Sequence, residues 1–191
     1  MKKNELIPNI VGAIFLAFGI IAIINQILLK DFVAILWFCY VGLIIIGVGF
    51  LKKNKFLIKS QLNILLIPLI IWGFDFLYYL IFEVSLLNIV DYFFLPGPIL
   101  SKIITTQHLF TIPLAVYSLR FIKSKTENAK LFSITQVSIL FILSIIFSNP
   151  EKNINWVYHT PLNLNLPFYS VVWFIVVFGM IFITDKILKK I

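Results

Sequence analysis

Residues 52–86 read KKNKFLIKSQLNILLIPLIIWGFDFLYYLIFEVSL, and the contrast between the beginning of this stretch and its remainder decides the fold. Lys52, Lys53, Lys55 and Lys59 come first, and from Leu62 to Leu86 the side chains are mostly apolar or aromatic. About 20 mainly apolar residues carry a helix across a hydrocarbon core roughly 30 Å thick. Residues 62–86 therefore predict a membrane-spanning helix with a basic flank at one end. Five further stretches share this character, at approximately 7–29, 32–51, 103–121, 131–147 and 168–184. The expected architecture is all-α: a single transmembrane domain over 1–191, folded as a polytopic bundle of six transmembrane helices. A closed β-barrel also satisfies backbone groups in lipid. It requires alternating polarity, however, and runs such as Leu43-Ile44-Ile45-Ile46 do not alternate.

Composition points the same way. Of 191 residues, 61% are hydrophobic and 13% charged, against roughly half and about a quarter in soluble domains. The net charge of +8 does not indicate nucleic acid, because the basic residues are spread between apolar runs rather than gathered on one face or tail. Arg120 is the only arginine, so bidentate phosphate recognition has little to work with. Cys39 is the only cysteine, which excludes an intrachain disulfide and a cysteine-based metal site. The opening Met1-Lys2-Lys3-Asn4-Glu5 and the apolar run after it have the outline of a signal peptide. That run extends over 6–29, longer than a signal core of about 7 to 15 residues, and is expected to stay as the first span.

Orientation follows from the Lys and Arg flanks, since cytoplasmic loops carry the excess. Lys2, Lys3, Lys52, Lys53, Lys55, Lys59, Arg120, Lys123, Lys125, Lys130, Lys186, Lys189 and Lys190 fall on one side, and Lys30, Lys102 and Lys152 on the other, a split of thirteen to three. The alternation predicts an even number of crossings, with both termini on the cytoplasmic face of a cell membrane.

Little beyond Lys30-Asp31 separates the first two spans, which predicts a tight antiparallel hairpin. Ala13 and Ala17, with Gly12 and Gly19, offer a small surface to a neighbouring helix; Gly42, Gly47 and Gly49 do not form a GxxxG pattern. Pro68 and Pro113 predict kinks. The loops at 88–101 and 148–167 are expected outside. In the first, Tyr92-Phe93-Phe94 precedes Pro96-Gly97-Pro98, an interfacial aromatic stretch and then a sharp turn. In the second, Trp156 and Tyr158 stand among Asn153, Asn155, His159, Asn163 and Asn165, either as interfacial anchors or as a cap over a site beneath. No internal repeat supports an inverted-repeat transporter.

Ionisable residues inside a membrane are costly and are functional candidates for that reason. Asp75 falls about 10 Å below the outer surface on the third span, and His108 at a similar depth on the fourth. Tyr78, Tyr79 and Glu83 follow Asp75 along its helical face; Thr105, Thr106, Gln107 and Thr111 surround His108; Asn25 and Gln26 end the first span at the same level. Together these residues predict an outward-facing polar pocket. A carboxyl beside an imidazole fixes its tautomer for general base chemistry, serves as a proton site, or simply pins two helices together. His159 on the last outer loop is the third candidate, and with Asp75 and His108 would make a two-histidine, one-aspartate ligand set. The three lack metal-site spacing, so neither a metal nor a cofactor is assigned. Ser-x-x-Lys, HExxH, GxSxG and Walker patterns do not occur.

His108-Leu109-Phe110-Thr111-Ile112-Pro113, an HxxxxP pattern within a span, and Trp156-Val157-Tyr158 beyond the next span resemble the androgen-induced family of integral membrane threonine hydrolases, which act on lipid esters. The resemblance implies a catalytic role for His108. It supplies no nucleophile, because no threonine precedes Thr105. Three functional classes stay open: a membrane-embedded lipid hydrolase using His108 and Asp75, a small proton-coupled carrier, and a non-catalytic subunit. The carrier needs polar groups continuing inward, where the sequence offers little beyond Asn63, Thr135 and Gln136. The expected partners are the lipid bilayer, a lipid or acyl substrate, and a membrane protein partner of unknown kind; no nucleic acid is expected.

Overall fold

The computed structural model describes residues 3–124, 126–162, 164 and 166–189, with side chains from Leu6 onward. Met1, Lys2, Lys125, Asn163, Asn165 and Lys190, named above, lie outside the described residues, as does the side chain of Lys3.

The described chain is mainly helical, and no strand occurs among the described residues. α1 spans Lys3–Leu28. A 3-10 turn, Phe32–Leu36, leads into α2, Phe38–Leu51. α3 spans Lys55–Phe82, a short α4 Asp91–Phe94, α5 Ile99–Thr105 and α6 Gln107–Leu119. α7 spans Ala129–Phe147 and α8 Tyr169–Leu188. Five stretches are long and apolar enough to cross a membrane: Leu6–Leu28, Lys55–Phe82, Ile99–Leu119, Ala129–Phe147 and Tyr169–Leu188. Their exposed surfaces are apolar, with Ile70, Phe74, Leu77, Ile142, Val171 and Ile175 among the bare side chains. That pattern belongs to a protein whose outer solvent is lipid.

The segment expected as a second uninterrupted span is broken. Trp37 takes an extended conformation (φ −55°, ψ 131°) between the 3-10 turn and α2. The 14 residues of α2 rise only about 21 Å. A distant side chain stabilises the break: Asn155 accepts from Phe38 N at 2.9 Å and donates to the Leu36 carbonyl at 2.8 Å. An amide thus replaces the backbone partners that continuous helix would have supplied.

α3 is the hub of the bundle, packed against α2, α6, α7 and α8. It begins earlier than the hydropathy pattern predicts, because Asn54 accepts from Leu57 N at 3.3 Å and caps its first turn. It also ends earlier, at Phe82, where Glu83 adopts a left-handed conformation (φ 57°). α1 and α2 make the most extensive helix pair. Gly12 and Gly47 meet face to face there: a Cβ on Gly47 would stand 2.7 Å from Leu16 N and 3.0 Å from the Gly12 carbonyl oxygen. The small surface read at Gly12 is thus used against Gly47, without a GxxxG repeat.

Hydrogen bonds and ion pairs fix which elements share an end. Lys55 N donates to Ser124 Oγ at 2.7 Å, and Lys59 Nζ lies 3.3 Å from Asp185 Oδ1. The start of α3, the α6–α7 connection and the end of α8 therefore lie together. At the opposite end Asn25 Nδ2 donates to Ser101 Oγ at 3.0 Å, and Lys152 pairs with Asp31.

Candidate functional site

Asp75 is fully buried, and its carboxyl group is committed to the chain that follows α3. Oδ1 accepts from Leu86 N at 2.8 Å and Leu87 N at 2.9 Å; Oδ2 accepts from Ile89 N at 3.1 Å and Ser85 Oγ at 3.2 Å. Asp75 lies seven residues before Phe82, or about 10 Å down the helix axis, so the chain after Glu83 turns back along α3. The beginning of the loop expected from Asn88 onward is thus held against α3. Backbone without helix or sheet partners is tolerated in the interior of a membrane protein only where its polar groups are satisfied. Asp75 supplies that satisfaction for three N–H groups within four residues of irregular chain.

The returning chain then lays α4 against the outer turns of α3. Tyr79 and Phe94 stack with ring centroids 3.7 Å apart and planes at 7°. Phe76 contacts Phe93 at 5.2 Å and Phe94 at 5.5 Å. Trp72 Nε1 donates to Tyr92 Oη at 3.1 Å. The aromatic stretch expected at the interface packs as a roof over one face of α3, held by ring contacts and one indole bond.

His108 lies beneath this roof, but not on Asp75. Its ring packs on Trp72 at 4.7 Å with a 52° tilt. Its Nδ1 is buried and has no hydrogen-bond partner in the protein, while the residue as a whole is only half-buried. Asp75 and His108, weighed as a carboxyl–imidazole pair, make no hydrogen bond to each other; the four bonds of Asp75 go to the chain after α3. Gln107, next to it, is fully buried; Oε1 accepts from Thr111 Oγ1 at 2.7 Å, and Nε2 has no partner. These two residues open α6, just past Thr106, where α5 ends and the helix register shifts.

The remaining members of the expected pocket are satisfied locally. Thr105 donates to the Ser101 carbonyl and Thr106 to the Ile103 carbonyl. Gln26 donates to Tyr40 Oη at 3.2 Å. Tyr78 packs on Phe82, and Glu83 is exposed beyond the helix end. His159 is bound within its own loop, with Nε2 3.0 Å from the Pro150 carbonyl oxygen and Nδ1 3.1 Å from Asn153 Nδ2. Among the described residues no group of three His, Cys, Asp or Glu side chains comes together to hold a metal, so Asp75, His108 and His159 do not converge. The loop carrying His159 does cap the bundle end, with Ile154, Asn155 and Val157 buried and Trp173 Nε1 donating to the Asn155 carbonyl at 2.9 Å. Beside it is an open recess of about 330 Å³ lined by Ile145, Val157, Tyr158, Tyr169 and Ser170.

The sequence reading missed a second polar region at the other end of α3. Lys59, Ser60, Gln61 and Asn63 are all buried. Gln61 and Gln136 exchange amide bonds at 2.7 and 3.0 Å. Asn63 Nδ2 donates to Ser133 Oγ at 3.4 Å, and Ser133 donates to the Ser60 carbonyl at 2.8 Å. Lys59 pairs with Asp185. In the sequence Asn63 and Gln136 read as isolated polar groups within spans; Lys59, Ser60 and Gln61 fall just before the span expected from Leu62, and the partners of all of them across helices are remote in sequence. No family model matches the chain, and comparison with curated proteins and with solved structures finds no match either.

Proposed function

We propose that the chain is a six-span membrane protein with both termini in the cytoplasm, and that it binds a lipid-like ligand at His108 in the outer half of the bilayer. Two observations support six crossings. The end-to-end tethers alternate with each helix, and along the sequence the basic residues of successive flanks alternate in the same order, thirteen to three. Single cysteines placed at Lys53 and Glu151 in a Cys39→Ser background test the topology in intact cells. A membrane-impermeant maleimide should label position 151 and spare position 53; the reverse pattern overturns the orientation.

The observation carrying the ligand reading is the buried, unpartnered Nδ1 of His108. A polar group left unsatisfied away from water costs about 1–3 kcal/mol, which a ligand hydroxyl or carbonyl offsets. Nδ1 itself is sealed, so a ligand reaches it only when the ring or a neighbour turns aside; the partly exposed edge of His108 and the exposed apolar neighbours Ile103 and Leu109 favour a lateral approach. An amphiphile in the outer leaflet fits that approach. The resemblance to threonine hydrolases assigns catalysis to the same histidine. Binding is favoured over hydrolysis because a general base is ordinarily oriented by a partner on its other nitrogen and bonded to a nucleophile. His108 has no such hydroxyl partner, and Asp75 is engaged elsewhere.

Monoolein, which carries an ester and two hydroxyls, tests both readings. It should raise the thermal unfolding midpoint of the detergent-solubilised wild type and leave His108→Phe unmoved. An equal response of both proteins removes the His108 site. Consumption of the ester by the wild type alone replaces binding with hydrolysis.

A further inference from the structure

We infer that the opposite end of the bundle, where α3 begins and α8 finishes, binds the phosphate of an anionic phospholipid. Asp185 is shared by two ammonium groups: Lys59 Nζ is 3.3 Å from Oδ1, and Lys189 Nζ is 3.2 Å from Oδ2. The side chains of Lys59 and Asp185 are 5% and 8% exposed, and that of Lys189 is 65% exposed. One carboxyl group cannot neutralise two cations. Lys59 and Asp185 are both sealed from water and balance each other, so the charge of Lys189 is left unmatched at the exposed edge of the cluster. An anion arriving at Lys189 balances it.

The surroundings identify the anion as a lipid headgroup rather than a soluble ion. Phe182, Lys186 and Lys189 follow one another at helical spacing on α8, so they share a face. Phe182 is exposed, and Lys130 Nζ of α7 lies over its ring at 4.5 Å. A cation above an exposed aromatic side chain, with two more lysines one and two turns on, provides adjacent contacts for a phosphate and for the chain beneath it. Arg120 and Lys123 extend the basic surface, brought to the start of α3 by the Lys55–Ser124 bond. Clusters of lysine at helix ends attract anionic headgroups in this way.

Purified full-length protein in detergent, titrated with phosphatidylglycerol, phosphatidylcholine or inorganic phosphate, tests the inference by native mass spectrometry and thermal unfolding. Phosphatidylglycerol should be retained at least about fivefold better than phosphatidylcholine. Lys189→Gln and Lys130→Gln should each lower that preference by about fivefold, the contribution of one interfacial lysine. Lys102→Gln, at the other end, should leave it intact. Lys189 is exposed, so its variant tests the site even where Lys59→Gln fails to fold. Equal retention of the two lipids, or an equal loss in Lys102→Gln, overturns the proposal. Stabilisation by inorganic phosphate that matches phosphatidylglycerol overturns the lipid assignment in favour of a soluble anion.

Discussion

The two ends of α3 handle buried polarity in opposite ways. Toward its C-terminal end, Asp75 accepts mostly from backbone, and three of its four bonds are to the N–H groups of Leu86, Leu87 and Ile89. Toward its N-terminal end, side chains satisfy one another across helices, as in Gln61–Gln136 and Lys59–Asp185. The first arrangement shapes the chain by holding an irregular segment in place. The second joins one helix to another, α3 to α7 and α8. Only the first adjoins an aromatic-roofed histidine with a nitrogen to spare, which is why ligand binding is assigned there and lipid-headgroup attraction to the other end.

Removing Asp75 should break the comparison most severely. In Asp75→Ala three backbone N–H groups lose their acceptor in the interior, and stability should fall by on the order of 3–5 kcal/mol. Ring contacts such as Tyr79–Phe94 depend on the same returning chain, so Trp72 fluorescence should redshift as α4 leaves α3. Unfolding in mixed micelles reads the stability, and a loss below about 1 kcal/mol would mean that the roof holds without its anchor. The loss should appear without any ligand, which separates a positioning role for Asp75 from a catalytic one.

The clamp end should respond more mildly, and in a way the roof end cannot. Gln61→Leu alone leaves the Gln136 amide without its reciprocal partner and should cost about 1 kcal/mol. Gln61→Leu with Gln136→Leu should cost no more than the single change, because both polar groups leave together. A double mutant whose loss equals the sum of the two single losses would mean that the amides act independently, contrary to the bonds they exchange.

The parts of this fold that were legible in the sequence are those that depend on neighbours along the chain. Spans near 7–29, 131–147 and 168–184 could be read because hydropathy is local, and helix boundaries fell within a few residues of those expected. The break at Trp37 was not legible, because its partner is Asn155, more than a hundred residues away. The Lys59–Asp185 pair was hidden for the same reason, and both residues had been placed just outside their spans. Asp75 was correctly singled out as buried, yet its partners are backbone N–H groups, which every residue but proline carries and which leave no mark in a sequence. His108 was found by its rarity inside a span. Its contact with Trp72 was not, since an aromatic in a span is the ordinary case.

The smallest expected effect belongs to His108 itself, and it sharpens the contrast between a clamp and a site. If the imidazole served stability, as Gln61 does, replacing it would cost a hydrogen bond. Its Nδ1 makes none, and its ring is already packed on Trp72. His108→Phe keeps the ring contact and removes the unsatisfied nitrogen, so unliganded stability should stay within about 0.5 kcal/mol of wild type or rise slightly. Unfolding in mixed micelles measures this directly. A loss above about 1.5 kcal/mol would make His108 a structural residue like Gln61, and the ligand reading would lose the group that carries it.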